Sequence, residues 1–359
     1  MKQDNLKSNF PMVDRRMALQ GIAGGFGSLA LSSLLAEEKS SGYMWQTSMP
    51  RAKRVIFLFM HGGPSQVDTF DYKPELQSRD LQEHTVRAYR ANQSNEGHKV
   101  KLKASPFSFQ QYGQSGKWVS ELFPRQAEIV DDLCFVQSMH TEGVAHGPAT
   151  LFFHTGSTNL VRPSMGSWIS YGLGTENSNL PAFITLHPPL MMGGQRNYGS
   201  SFLPSIHQGT PIGHAGIPVN KAGINHLSPP ASRSVGYDAQ LAQSLSGLSQ
   251  IQQETAARPG EYDTAISSFE LAAAMQAEAP DLLDIKNESK AMRELYGLND
   301  PVTSEYGSMC LKARKLSEAG VRFVQVNYSE NHNNPKWDQH NNLEQGHRAH
   351  ARAIDQPVA

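Results

Sequence analysis

The sequence predicts an α/β protein with a central, mostly parallel sheet flanked by helices. The first observation is Val55–Met60, a run of six apolar residues that is too short to span a membrane and rich in strand formers. The second is that similar short runs alternate with segments of helical character along the chain. The third is that polar, histidine-bearing segments follow the predicted strands, where open α/β sheets bind their ligands.

The run Val55–Met60 is the best defined of the predicted strands. Its unbroken apolar character is typical of a strand buried on both faces, so we expect it in the middle of the sheet. The segment His61–Ser65 follows directly and predicts a sharp turn with little side-chain bulk, where backbone amides can approach a ligand. This loop is therefore the first place to look for a functional site.

Three further strands are predicted from short apolar and β-branched runs: Leu133–Val136, Ala182–Leu186 and Val321–Val326. Helices are expected over Lys117–Val130, Ala149–His154, Asp238–Thr255, Tyr262–Ala277, Asn287–Tyr296 and Ser304–Ala319. Pro148 suits a first helical turn, while Gly156 and Gly320 suit helix ends. The stretch from His187 to about Pro230 is rich in Gly, Pro and Ser and predicts a long loop region.

Composition narrows the classes of partner. The 359 residues, 38% of them hydrophobic, suffice for one large α/β domain or two smaller ones. With 32 basic and 33 acidic residues, no charge excess favours nucleic acid or an anionic membrane surface, so neither is expected as a partner. Cys134 and Cys310 fit no metal-binding spacing, and we expect two buried thiols, with one disulfide between them as the alternative.

The N-terminus predicts export. Arg15 and Arg16 precede the Gly- and Ala-rich apolar segment Gly21–Ala36, an arrangement that resembles a twin-arginine signal. The apolar segment is too short to span a membrane comfortably, so no stable membrane span is expected. We therefore predict a signal peptide over residues 1–36, a polar linker over 37–52, a folded domain over 53–359, and a periplasmic or secreted location.

The loop after the first strand carries two candidate metal ligands. Asp68 and Asp71 offer carboxylate oxygens of the kind that bind divalent cations. Either side chain can instead cap the turn that follows. Both interpretations stay open on the sequence.

The segment after the fourth strand carries the stronger candidates. Asp338 and His340 are close neighbours, and a helix opening at Gln339 would align His340, Glu344 and His347 on one face. Carboxylate and imidazole together suit Zn²⁺ or Mn²⁺. The alternative is a solvated polar helix face.

A family resemblance rests on several motifs. The run His146–Gly156 has the spacing of the sulfatase signature: Pro148 and the final Thr-Gly match, His146 stands at the nucleophile position and Thr150 at the arginine position. With this run and the twin-arginine leader, the chain resembles the exported, sulfatase-related family of domain of unknown function 1501. The other segments that carry the resemblance are Gly62–Pro74, Ala279–Asp284 and Trp337–His340.

The resemblance implies an alkaline-phosphatase-like or sulfatase-like fold with divalent metals, zinc, manganese or calcium, at the carboxyl ends of the strands. It also implies a nucleophile at a helix N-terminus, where the helix dipole favours an anionic ester. Because position 146 is neither Cys nor Ser, formylglycine cannot form there. His146 is then a nucleophile, a metal ligand, a general acid or a structural residue, and Ser65 is the reserve nucleophile.

Two hypotheses of function follow from the resemblance. In the first, the chain is an exported metal-dependent hydrolase of sulfate or phosphate esters, acting on a small molecule or a polysaccharide. In the second, it is a catalytically silent secreted protein with a binding or assembly role. The oligomeric state stays open.

The resemblance also predicts a longer protein. Family members carry a Gly-Glu-Phe-Gly-Arg segment and an Asp-His pair beyond the point where these residues stop. We therefore expect an N-terminal fragment of a protein about 100 residues longer, with an incomplete metal site and an under-covered sheet edge prone to association.

Overall fold

The computed structural model describes residues 52–86, 98–223, 263–330 and 335–359, with positions 240, 243, 244 and 247. Its strands are β1 (Val55–Met60), β2 (Glu83–Val86), β3 (His98–Lys101), β4 (Phe109–Tyr112), β5 (Lys117–Ser120), β6 (Phe183–Leu186), β7 (Thr210–Ile212) and β8 (Phe323–Tyr328). Its α-helices are α1 (Pro74–Ser78), α2 (Pro124–Glu128), α3 (His146–Thr155), α4 (Met165–Leu173), α5 (Asp263–Leu283), α6 (Lys290–Leu295), α7 (Ser304–Glu318) and α8 (Leu343–Val358).

A four-stranded parallel sheet lies at the centre, in the order β1-β8-β6-β7. The register pairs Met60 with Tyr328, Leu186 with Val326 and Leu186 with Ile212. The carboxyl ends of all four strands therefore meet at one edge of the sheet. Two antiparallel hairpins, β2-β3 and β4-β5, lie outside this sheet. The fold is thus α/β with a central parallel sheet, as the sequence predicted.

Strand β8 is buried along its whole length, and its two faces differ in chemistry. On one face Val324 and Val326 join the main hydrophobic core with residues of α7 and α8. On the other face Phe323 packs with Phe183, while the polar Gln325 follows two residues further along the strand. Helix α4 contributes Ile169 to this second cluster, so helices cover both faces, which is what a parallel sheet requires.

The predicted position of β1 is wrong within the described sheet. The strand has the bounds that the sequence predicted, but it pairs only with β8 and forms an edge. Val55 and Ile56 are 38% and 40% exposed. The apolar run correctly identified a strand. It could not distinguish an edge strand from a central one, because both faces of this edge strand are covered, one by α7 and the other by aromatic side chains.

Three other predictions are corrected by the structure. The helix predicted over Lys117–Val130 is strand β5 followed by the short helix α2, because Pro124 suits a first helical turn rather than an interior. The run Leu133–Val136 does not form a strand, and Val136 is 64% exposed. The loop region after His187 contains a strand that the sequence analysis missed, β7, which pairs with β6.

The remaining element predictions hold with shifted ends. The predicted places hold helices α3, α5, α6 and α7 and strands β6 and β8. Helix α3 ends at Thr155, and Gly156 follows it with φ +72°, as a glycine at a helix end does. The predicted signal peptide and residues 37–51 of the linker lie outside the described residues, as does most of Asp238–Thr255. Cys134 is exposed and Cys310 buried, so only the second matches the expected buried thiol.

Within the described residues, no helix is both long enough and apolar enough to cross a membrane.

Candidate functional site

The loops that follow β1 and β8 are joined by backbone contacts. His61 N donates to the carbonyl of Tyr328 (3.2 Å), and Trp337 N donates to the carbonyl of His61 (3.2 Å). Gly62 has φ +108°, and a Cβ placed there would lie 2.8 Å from the backbone nitrogens of Trp337 and Asp338. Glycine is required here because protein backbone occupies the space a side chain would need. These contacts bring the two histidine-bearing loops together.

Asp338 holds two imidazoles at once. His146 Nε2 lies 2.9 Å from Asp338 Oδ2, and His340 Nε2 lies 2.8 Å from Asp338 Oδ1. An ionised carboxylate only accepts hydrogen bonds, so Nε2 of each ring carries a proton, and a ring that is neutral in this contact has its lone pair on Nδ1. The His146 side chain is 33% exposed, that of His340 75% and that of Asp338 14%. The more buried imidazole, His146, is therefore oriented by a carboxylate and still open to solvent.

His146 is the first residue of α3. Ala145 precedes it in an extended conformation, and the carbonyl of Ala145 accepts the first helical hydrogen bond from Ala149 N (3.0 Å). The positive end of a ten-residue helix thus lies beside the imidazole. This is the helix N-terminus that the spacing around Pro148 predicted.

Ser65, Asp68 and His347 form a second group. Ser65 Oγ donates to Asp68 Oδ2 (2.5 Å), and Ser65 N donates to His347 Nε2 (3.0 Å). Asp68 and His347 are 5% and 1% exposed. Burial lowers the pKa of His347, and the charge of Asp68 partly opposes that effect. The serine hydroxyl is thus engaged by a carboxylate, while the imidazole accepts from backbone.

Asp71 lies apart from these two groups. Asp71 Oδ1 pairs with Lys73 Nζ at 2.8 Å, so the two aspartates of the first loop have separate partners.

The predicted helix face is corrected by the start of α8. Helix α8 begins at Leu343 rather than at Gln339, so His340 is not part of this helix. His347 is on α8 but faces Ser65, and the aligned face predicted for His340, Glu344 and His347 is corrected accordingly.

Sequence analysis missed two buried histidines beside this site. His61 is fully buried and neither ring nitrogen has a hydrogen-bond partner. Burial, and then the neighbouring His146 and His154, lower the pKa of His61 to about 4. The sequence feature that could have identified His61 is its position directly after a predicted strand, where α/β sheets bind ligands.

His154 belongs to a buried polar chain across the sheet. Its Nδ1 lies 2.7 Å from the Thr150 carbonyl and its Nε2 lies 3.1 Å from Gln325 Nε2. Gln325 in turn donates to Asn327 Oδ1 (2.8 Å), and Asn327 donates to Thr185 Oγ1 (3.0 Å). Burial lowers the pKa of His154 to about 4, so the neutral ring donates from Nδ1 and accepts at Nε2. This network connects α3 with β8 and β6.

The fit of these residues to a divalent metal can be tested on their contacts. In the described part of the chain, no three His, Cys, Asp or Glu side chains are grouped so that they could hold an ion. Both oxygens of Asp338 face imidazoles, His347 Nε2 faces backbone and Asp71 faces Lys73. The donor types suit zinc, but this arrangement does not, so no chemical step is assigned to a metal below.

Comparison with known proteins identifies the family. No curated protein and no solved structure matches the chain. A family model described as Protein of unknown function (DUF1501) matches residues 52–359, which include both strand-end loops and α3. The match covers well over half of the chain, and the protein belongs to the DUF1501 family.

Proposed function

We propose that this protein is an exported hydrolase of phosphate or sulfate esters in which His146 is the nucleophile. The observation that carries the proposal is the 2.9 Å contact between His146 Nε2 and Asp338 Oδ2 at the N-terminus of α3. The carboxylate fixes the tautomer of the ring and stabilises the positive charge that develops when Nδ1 attacks. The helix N-terminus favours the anionic group of the ester.

The proposed reaction has two steps. His146 Nδ1 forms a bond to phosphorus or sulfur while the ester oxygen bond breaks, and the alcohol or phenol leaves as its anion. Water then attacks the same phosphorus or sulfur, the bond to Nδ1 breaks, and inorganic phosphate or sulfate is released. The carboxylate of Asp338 stabilises the positive charge that the imidazole ring bears in the intermediate, and no covalent bond of Asp338 changes.

The test uses p-nitrophenyl phosphate and p-nitrophenyl sulfate, assayed with EDTA and with added Zn²⁺, Mn²⁺ or Ca²⁺. The sequence-based expectation of a metal stays a prediction, and the added ions test it. We expect turnover by the unmodified chain, loss to background in His146→Ala, and a reduced rate in Asp338→Asn. His84→Ala is the matched control because His84 is exposed on the hairpin strand β2, outside the central sheet. Unchanged turnover in His146→Ala would overturn the assignment of the nucleophile.

A catalytically silent binding or assembly protein is the second candidate. One observation favours it: both oxygens of Asp338 are satisfied by imidazoles, as in a structural contact. This candidate predicts no turnover of either ester by the unmodified chain with any of the ions, while His146→Ala lowers the free energy of unfolding.

Export is the remaining part of the proposal. Arg15 and Arg16 stand before a weakly hydrophobic, glycine-rich segment, as in twin-arginine signals. We expect residues 1–52 to export a fused, folded reporter, and replacement of both arginines by lysine to abolish that export. A reporter that still reaches the periplasm with the two lysines would contradict the twin-arginine route.

A further inference from the structure

Two loops meet at the N-terminus of α3, where the helix begins at His146. One loop leads directly into the helix, and the other belongs to the segment after β6. A Cβ placed at Gly143 would lie 2.5 Å from the Cα of Ala149, and a Cβ placed at Gly147 would lie 3.9 Å from the Cα of Met192. The backbone of each loop therefore packs against the first turn of α3.

The loop after β6 is held in place by its own contacts. Met192 has φ +54°, a strained conformation for a residue other than glycine, and Gly193 has φ +103°. The Met192 carbonyl accepts from Nδ2 of the buried Asn197 (3.2 Å), and Gly194 N donates to the Met191 carbonyl (3.2 Å). Strained backbone that surrounding contacts hold in place is typical of ligand-binding segments. The backbone at Met191 is therefore fixed next to α3.

Each of the two loops exposes a large apolar side chain close to His146. Val144 is 62% exposed and Met191 is 41% exposed. Val144 precedes His146 by two residues, so their Cα atoms are at most about 7 Å apart. Met191 is the chain neighbour of Met192, which approaches Gly147, the residue after His146. Single exposed apolar residues are common, but these two lie on separate loops beside the same proposed nucleophile.

These side chains discriminate between the alcohols that an ester can carry. With the anionic group of the ester at His146, an alcohol portion of more than a few atoms reaches the adjoining loops. An aromatic alcohol would remove apolar surface of Val144 and Met191 from water, and methionine also makes favourable contacts with aromatic rings. A sugar would instead place hydroxyl groups against these side chains, where they lose hydrogen bonds to water without replacement.

We propose that Val144 and Met191 form an apolar subsite for an aromatic alcohol, so that the substrates are aryl esters rather than sugar esters. This inference rests on the proposed function, because it takes His146 as the residue that receives the anionic group. It adds the chemical class of the alcohol, which the contact between His146 and Asp338 does not determine.

The test measures binding of non-hydrolysable anions to the 359-residue chain by isothermal titration calorimetry, so it does not depend on turnover. The three compounds carry a 2-naphthylmethyl, a methyl or a glucose group on the same anion, each as the phosphonate and as the sulfonate. We expect the naphthyl compound to bind at least about tenfold more tightly than the other two, because only its ring buries the apolar surface of both side chains.

A double variant tests the two side chains. Both residues are exposed, so we expect Val144→Ser with Met191→Ser to keep the urea unfolding midpoint and the affinity for the methyl compound. The preference for the naphthyl compound should fall to about twofold or less. Leu295→Ser is the control, at a residue 56% exposed on α6, and should keep the preference.

Three results would overturn the apolar subsite: no binding of the naphthyl compounds, equal affinities for the naphthyl and glucose compounds, or a preference that the double variant keeps as fully as Leu295→Ser. Failure of the proposed function gives a different result. If the naphthyl preference is present and is lost in the double variant, but p-nitrophenyl esters are not turned over, the subsite is supported and hydrolysis is contradicted.

Discussion

At the scale of single residues, Gly62 and Gly63 have different reasons to be glycine. Both have positive φ, +108° and +72°. A Cβ at Gly62 would meet the backbone of Trp337 and Asp338 at 2.8 Å, whereas a Cβ at Gly63 has nothing within 4 Å. The sequence predicted a turn open to a ligand, but the group that approaches Gly62 is the chain's own backbone.

We therefore expect Gly62→Ala to destabilise the protein more than Gly63→Ala. Gly63→Ala carries only the conformational cost of positive φ, about 1–2 kcal/mol. Gly62→Ala adds a clash with backbone that cannot rotate away, about 2 kcal/mol more. Urea unfolding of the two variants measures the difference. Equal losses would mean that the contact between the β1 and β8 loops adjusts freely.

At the scale of elements, the exposed edge of β1 predicts self-association. The strand pairs only with β8 in the described sheet, so its other side presents backbone donors and acceptors next to apolar side chains. Ile56 is 40% exposed on this strand. The predicted under-covered sheet edge stays a prediction, and the exposed edge of β1 is where it can be tested.

We expect Ile56→Lys to reduce association, because an added charge on an edge strand opposes pairing with another chain. Sedimentation velocity over a concentration series is the measurement. Val100→Lys is the matched control, since Val100 is 37% exposed on β3 of a separate hairpin. Association that falls equally in both variants would indicate a general effect of charge, and association unchanged in Ile56→Lys would exclude the β1 edge.

At the scale of the whole molecule, buried histidines make stability depend on pH. Burial lowers the pKa values of His61, His154 and His187 to about 4, whereas the unfolded chain titrates near 6.5. Between pH 4 and pH 6.5, these three histidines therefore take up protons when the protein unfolds. The stabilisation is therefore complete above pH 6.5 and is lost as the pH falls towards 4, on the order of 3 kcal/mol for each histidine.

The urea midpoint should fall between pH 7.5 and pH 4.5, and His154→Gln should make that fall shallower. Glutamine keeps a donor and an acceptor but does not titrate, so one proton fewer is taken up on unfolding. His84→Gln, at an exposed site, should leave the pH dependence unchanged. A midpoint that does not vary over this range would contradict neutral burial of the three rings.

The sequence by itself determined the features that arise from neighbouring residues. The bounds of β1, the start of a helix near Pro148 and its end at Gly156 follow from hydrophobic runs, fixed φ at proline and free φ at glycine. The strand predicted over Leu133–Val136 is wrong, because an apolar run of strand length does not ensure that another strand lies beside it to pair with. The sequence indicated Asp338 and His340 as neighbours in one loop and His146 as a separate candidate.

Only the tertiary structure decided which of these parts meet. The edge position of β1, the pairing of β7 with β6 and the contact of His146 with Asp338, 192 residues apart, are products of chain packing. The unpartnered nitrogens of His61 and His187 are visible only once burial is known. The physical reason is that strand order and burial depend on contacts between distant segments, whose free energies no local pattern of residues contains.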